Sequence, residues 1–200
     1  MEGFIFIQGI IFDNMEHTEK GCKSEFNISI SDGFSLQRVE LVFEPGAFVL
    51  HPLHGIGRIE KFENKEILGQ SCEFAVISFQ NDKLRIMVNL NQKESMFRNL
   101  ISNEDIPVVL SYIKSFESEI PLKSTDRYNL NMKKIKSADI LMLAQVIKDL
   151  TSLGRVKKLT PKELDMLKQS KKTMATEFAF VSSIPIEDAE TMLEESCRVA

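Results

Sequence analysis

The sequence has no tryptophan, only two tyrosines, and three cysteines among its 200 residues. Cys22, Cys72 and Cys197 are odd in number and far apart, so they provide neither a disulfide framework nor the paired spacing of a structural zinc site. Such scattered cysteines are typical of proteins in a reducing compartment, and we therefore expect a cytoplasmic location.

Long apolar runs are missing as well. No segment reaches the roughly 18 apolar residues that a membrane-spanning helix requires. The apolar N-terminal segment FIFIQGIIF has no basic flank before it and ends at Asp13. A secretory signal needs a positive flank and a small-residue cleavage site, so we expect neither a signal peptide nor a membrane contact.

Catalytic motifs are also absent from the sequence. It contains no Gly-x-Ser-x-Gly, no phosphate-binding loop and no dinucleotide fingerprint. His51 and His54 lie on a Pro-Gly loop, but no cysteine or carboxylate lies close by to complete a metal site. The sequence thus predicts a protein that is not an enzyme and has no metal and no cofactor. A small enzyme that uses these two histidines is kept as an alternative hypothesis.

What the sequence does contain begins with a series of strand-like segments between residues 43 and 103. Apolar alternation and punctuation by Gly, Pro and Asn predict strands at 47–50, 58–63, 73–79 and 84–90. Segments this short and this strongly punctuated favour a small, strongly bent antiparallel barrel. Residues 1–42 either add strands to it, with a hairpin turn at Asp32-Gly33, or form a poorly ordered extension, in which Met15 is an alternative start of the protein.

From residue 104 to the end, the apolar period changes to about 3.6, which predicts helices. The most specific start signal is the capping box of Thr160 and Glu163, with Pro161 in the first helical position. Other predicted caps and stops are Asp105 for the first helix, Ser124 or Thr125 for the second, Ser137 or Asp139 for a helix ended by Gly154, and a short acidic helix at 186–196. The fold class is therefore α+β, with a β domain at 43–103 and a helical domain at 104–200.

Charge is distributed unevenly along the chain, whose net charge is −4. Residues 121–180 carry 13 basic and 6 acidic side chains, whereas residues 1–120 carry 11 basic and 18 acidic ones. A basic segment between acidic ends indicates a surface that faces a polyanion, although a solvated helical face without a partner is the plainer alternative. The candidate phosphate contacts are Lys123, Arg127, Lys133, Lys134, Lys158, Lys162, Lys168, Lys171 and Lys172.

Several of these segments follow one another in a recognisable order. GAFVLHPLHGIGRIEKFENKEILGQSCEFAVISF has a hydrophobic strand, a Pro-x-His-Gly turn at residues 52–55, Gly69 at the next turn and an aromatic-rich strand. RYNLNMKKIKSADILMLAQVIKDL and LTPKELDMLKQSKKTMATEFA follow in the helical part. In this order and spacing, about residues 43–195 resemble the CarD/CdnL family of bacterial transcription regulators.

The resemblance implies a Tudor-like β domain, of the type shared with the transcription-repair coupling factor, that docks on the β subunit of RNA polymerase. The corresponding contact residues are Lys65, Ile86, Met87 and Val88, at an exposed strand edge suited to strand addition. The helical domain would lie on promoter DNA without sequence specificity and stabilise the open complex. A monomer that reaches the nucleoid through the polymerase is the family expectation.

One position departs from the family pattern in a way that affects mechanism. Ser124 occupies the site where the family commonly has a tryptophan that wedges into the minor groove, and a serine cannot unstack a base step. Asn89 likewise replaces a family proline. We therefore expect weaker or different promoter stabilisation that rests on Arg127 and the lysines. A polymerase-docking adaptor that does not touch DNA is the alternative.

Overall fold

The structure is a computed structural model, and the residues that it describes are 10–11, 29–30, 44–67, 69–79, 84–90, 97–117 and 123–198. The chain divides into two compact units, Met1–Val42 and Phe43–Ala200. The first unit contains an antiparallel pair formed by β1, Ile10–Ile11, and β2, Ser29–Ile30. The hairpin turn that the sequence predicts at residues 32–33 lies outside the described residues.

The part of the second unit that the structure describes begins with a five-stranded antiparallel sheet. Its strands are β3 (Phe48–His51), β4 (Gly55–Ile67), β5 (Gln70–Phe79), β6 (Leu84–Asn89) and β7 (Arg98–Asn99), in the order β6-β5-β4-β3-β7. The β4–β5 register shifts between Ile59 and Lys61, and such a bulge bends and twists a sheet. The described ladder is open between β6 and β7, so closure into a barrel stays a prediction.

One face of this sheet carries its apolar core. The buried cluster consists of Val49, Ile59, Ala75, Ile77, Phe79 and Phe97. Gly57 lies directly over the cluster, and a Cβ atom there would come within 2.7 Å of Ile77 Cγ2 and 2.8 Å of Phe79 Cε1. The close approach of β4 to β5 side chains therefore requires glycine at this position.

Among the described residues, five helices follow the sheet. They are α1 (Asp105–Ser115), α2 (Ser124–Lys136), α3 (Ile140–Val156), α4 (Pro161–Ser182) and α5 (Ile186–Arg198). In the part of the chain that the structure describes, none of the helices combines the length and apolar character needed to cross a membrane. Sheet followed by helices confirms the predicted α+β class.

Two of the predicted helix caps are confirmed. Thr160 and Glu163 form the full capping box at the start of α4. Asp139 caps α3, where its carboxylate accepts hydrogen bonds from the backbone N–H groups of Leu141 and Met142. In both cases a side-chain oxygen satisfies amide groups that the first helical turn leaves without a partner.

Three other predicted boundaries are wrong. The N-cap of α2 is Lys123, which makes no side-chain cap, so Ser124 and Thr125 lie inside the helix. Asp105 is the first residue of α1 instead of its cap, and its carboxylate accepts from the N–H and hydroxyl of Ser102. Gly154 does not end α3, which continues to Val156, because one glycine costs a helix only about 1 kcal/mol.

Candidate functional site

The strand edge expected to contact the polymerase is present as β6. Among the described residues, β6 pairs only with β5, so its other backbone edge has no strand partner there. Ile86 and Val88 are half-buried and pack against the core of the sheet. Because side chains alternate along a strand, Met87 points to the opposite face, where 39% of it is exposed.

Lys65 lies beside Met87 on that outer face. Its Nζ donates to Met87 Sδ at 3.3 Å, which joins β4 to β6 across β5. The structure therefore brings the four predicted residues together, two of them on the outer face and two packed on the core. Lys65 and Met87 offer their side chains, whereas Ile86 and Val88 hold the edge strand in register by packing inward.

Charged side chains that the sequence reasoning missed surround this outer face. Lys61 Nζ lies 2.7 Å from Glu63 Oε1, and Lys65 lies 3.7 Å from Glu63 Oε2. The hydrogen bond and charge of Lys61, aided by Lys65, lower the pKa of the Glu63 carboxyl. Lys61 and Lys65 are exposed and Glu63 is half-buried, so the pairs contribute little to stability, and of the three only Lys65 is seen to contact Met87.

The two histidines have structural partners. His51 Nδ1 accepts hydrogen bonds from the backbone N–H groups of Leu53 at 3.1 Å and His54 at 3.2 Å. The His51 and His54 rings stack with centroids 4.6 Å apart. Burial, together with the nearby His54, lowers the pKa of His51 to about 4. No group of three or more potential metal ligands occurs among the residues that the structure describes.

Arg127, predicted from the sequence to contact DNA, is buried inside the helical domain. Only 4% of it is exposed, and its Nε donates to Glu163 Oε1 at 2.9 Å while Nη2 lies 2.7 Å from the same oxygen. The other oxygen of Glu163 accepts from the backbone and hydroxyl of Thr160. Burial alone would raise the pKa of Glu163, but the hydrogen bonds from Thr160 and Arg127 lower it overall.

This ion pair joins the first turns of α2 and α4. Lys162 lies next to it, with its Nζ 5.7 Å from the centre of the Tyr128 ring, a cation–π distance. Lys123 and Ser124 are within one helical turn of Arg127, so both lie at the same end of the bundle as Lys162. The structure thus brings Lys123, Ser124 and Lys162 together, all of them exposed.

The remaining basic candidates are spread over other parts of the helical domain. Lys168 and Lys172 are exposed and four residues apart on α4, so they project from the same face. Lys158 is exposed in the segment before α4, and Lys133 is exposed near the far end of α2. Lys133 is nine residues from Ser124, about 14 Å along the helix, and therefore does not belong to the cluster at its start.

Two lysine candidates have acidic partners within the protein. Lys134 Nζ lies 3.0 Å from Asp149 Oδ2 and 5.9 Å from the centre of the Phe116 ring, and the Lys134 side chain is mostly buried. Lys171 is half-buried and lies 3.9 Å from Glu194 on α5. Charge spacing in the sequence could not reveal these partners, because each is contributed by a different helix.

Comparisons with known proteins match both parts of the second unit. The family described as the CarD-like/TRCF RID domain matches residues 43–101, and the family described as the CarD C-terminal domain matches residues 108–194. In Bacillus subtilis (strain 168), the protein named "Putative transcription factor YdeB" is 26% identical over 144 residues, which are 72% of this chain and 94% of that protein. Residues 1–42 lie outside both family matches.

Proposed function

The chain belongs to the CarD-like family, and on that premise we propose that it regulates transcription by binding the β subunit of bacterial RNA polymerase and promoter DNA at the same time. Family membership supports the coarser role, a transcription-associated protein that interacts with the polymerase. The contact with the β subunit, the contact with promoter DNA and the stabilisation of the open complex are our proposals. No chemical step by this chain is part of the proposed mechanism.

The observation that carries the proposal is the outer edge of β6, which has no strand partner among the described residues. Its backbone donors and acceptors form a template to which a strand of the β subunit can add. Ile86 and Val88 anchor the edge strand to the core, so little order has to be gained on binding. Met87 and Lys65 would then contact the partner beside the added strand. The Tudor-like barrel that the family implies would require the sheet to close between its two edge strands, β6 and β7.

Promoter DNA is proposed to lie against the helical domain. Lys123 and Lys162 are exposed at the joined starts of α2 and α4, and Lys168 and Lys172 continue along α4. Lysines that meet phosphates give affinity without sequence specificity, as expected for a factor that acts at many promoters. Arg127 supports this surface from within, through Glu163, instead of contacting DNA itself.

A polymerase-docking adaptor without DNA contact is the second candidate. Ser124 offers no aromatic wedge, and the charges of Arg127 and Lys134 are paired with Glu163 and Asp149. The internal pairs leave fewer cations for phosphates than the sequence suggests. The two candidates differ in the salt dependence of DNA binding, because only phosphate contacts release counterions.

The proposed docking edge can be tested by binding the purified chain to a fragment of the polymerase β subunit. We expect Met87→Asp to weaken binding at least tenfold, because a carboxylate would be desolvated at the docking edge. Leu53→Asp is the matched control, since Leu53 is similarly exposed but lies on the β3–β4 turn. An equal loss in both variants, or no binding by the unmodified chain, would contradict docking through β6.

A further inference from the structure

The sheet and the helices of the second unit are joined by a buried ion pair. Arg98, on β7, directs both terminal nitrogens at Glu177, on α4: Nη2 donates to Oε2 at 2.6 Å and Nη1 donates to Oε1. The Glu177 side chain is fully buried and that of Arg98 is 14% exposed. A bidentate pair of this kind fixes orientation as well as distance.

The same carboxylate also holds the chain that leaves β7. The backbone N–H of Ile101 donates to Glu177 Oε1 at 3.0 Å, and Arg98 Nη1 donates to the Asn99 carbonyl at 3.0 Å. Three donors from the β7 region therefore converge on one side chain of α4. Removing that carboxylate would leave a buried guanidinium without its counter-charge, which is strongly unfavourable.

Two further contacts lie beside the pair along the last turns of α4. The Phe48 and Phe180 rings meet edge to face, with centroids 4.8 Å apart, and the Ser182 hydroxyl donates to Asn103 Oδ1 at 2.6 Å. Both contacts are exposed to solvent. An exposed hydrogen bond and a partly exposed ring pair constrain the angle between the sheet and α4 less than a buried bidentate ion pair does, so the Glu177 pair is the most constraining of these three contacts.

The part of α4 that precedes Glu177 carries exposed lysines. Lys162, Lys168 and Lys172 precede Glu177 by 5 to 15 residues on one continuous helix, about 8 to 23 Å along its axis. One helix is thus clamped to the sheet near its end and presents cations nearer its start. Any change in the angle at Glu177 would move those lysines relative to β6.

We propose that Glu177 and Arg98 are a positioning pair that sets the angle between the β6 edge and the exposed lysines of α4. The proposal rests on the proposed function, in which the first surface binds the polymerase and the second binds DNA. Two linked contacts reinforce each other only where the geometry allows both to form at once. The pair touches neither partner and acts by keeping the two surfaces at a productive angle.

The angle can be measured without either partner. The three native cysteines, Cys22, Cys72 and Cys197, are first replaced. Spin labels are then attached at Glu73→Cys on β5 and Asp165→Cys on α4. Double electron–electron resonance measures the distance between the two labels, and so between the sheet and the helix. We expect one narrow distribution for the unmodified pair and a shifted or at least twofold broader one for Glu177→Gln. An unchanged distribution would overturn the proposal.

A matched control separates positioning from stability. Glu163 is also buried and paired with an arginine, but both partners lie within the helical domain. Glu163→Gln should lower the melting temperature as Glu177→Gln does, yet leave the label distance unchanged. Equal broadening in both variants would mean general loosening and would overturn the proposal. Where Glu177→Gln does not fold, Arg98→Lys replaces it, since lysine keeps the charge but loses the bidentate geometry.

The functional consequence has a separate readout. The affinities of Glu177→Gln for the β fragment alone and for duplex DNA alone should be within twofold of those of the unmodified chain. Its effect on the lifetime of the polymerase–promoter complex should be at least fivefold smaller. If the unmodified chain binds neither partner, the proposed function fails, whereas the label distances still decide whether the pair sets the angle. If a variant with a broadened distribution of label distances keeps the full effect on lifetime, the angle has no role in transcription and that part of the proposal is overturned.

Discussion

At the residue scale, His51 shows how one side chain closes a turn. Its Nδ1 accepts two backbone N–H groups of the β3–β4 turn, and its ring packs between Phe97 and His54. Nδ1 can accept only while it carries no proton. Burial and the neighbouring His54 keep the pKa of His51 at about 4, so the ring stays neutral near pH 7.

This lowered pKa makes folding stability depend on pH. Between pH 6.5 and about 4 the unfolded chain binds a proton at His51 that the folded chain does not, so the free energy of unfolding falls as the pH falls through that window. We expect a loss of ~3 kcal/mol from this residue, most of it between pH 6.5 and about 4. Urea unfolding of the unmodified chain at pH 7, 5.5 and 4.5 measures it.

His51→Asn and His54→Asn are the controls for this pH dependence. His51→Asn should be less stable at pH 7 but should lose less stability on acidification, because the titrating group is gone. His54→Asn should retain most of the pH dependence. Identical pH dependence in the unmodified chain and His51→Asn would show that other groups cause it.

At the element scale, the sequence predicts best those boundaries that a local side-chain contact sets. Thr160 and Asp139 cap their helices by accepting hydrogen bonds from backbone amides two or three residues further along, so the whole signal lies within four consecutive residues of the sequence. β4 is longer than predicted, Gly55–Ile67 instead of 58–63, because its outer residues are mostly polar or exposed and dilute the apolar alternation. β7 has only two residues and gives no periodicity to detect.

Two glycines in different elements should respond to alanine in opposite ways. At Gly57 on β4, a Cβ atom would meet Ile77 and Phe79 at under 3.0 Å within the packed core, so we expect Gly57→Ala to destabilise by about 1–3 kcal/mol. At Gly154 on α3, the nearest atoms outside the helix backbone lie at 3.6 Å, so Gly154→Ala should stabilise by about 0.5–1 kcal/mol. Urea denaturation measures both changes in the free energy of unfolding. Changes of equal size and the same sign in the two variants would contradict this explanation from packing.

At the scale of the whole molecule, the sequence predicts which regions are charged but not which charges remain available. The ion pairs of Arg127 with Glu163 and of Arg98 with Glu177 join residues 36 and 79 positions apart. Each arginine has many acidic residues as possible partners in the sequence, and only the folded packing of α2, α4 and β7 selects one. The exposed cations are therefore fewer than the composition suggests, and they are spread over α2, the segment between α3 and α4, and α4 itself.

The salt dependence of DNA binding tests the exposed lysines of α4. We expect the triple variant Lys162→Gln, Lys168→Gln, Lys172→Gln to bind duplex DNA more weakly and to reduce the slope of log affinity against log salt concentration by about 2–3, since each lost phosphate contact removes roughly 0.9. The matched control, Lys61→Gln, Lys65→Gln, Arg85→Gln, removes as much charge from the sheet and should keep the slope. Fluorescence anisotropy with a labelled duplex measures both. If the unmodified chain shows no salt-dependent binding, the lysines of α4 face solvent and the adaptor without DNA contact is the better account.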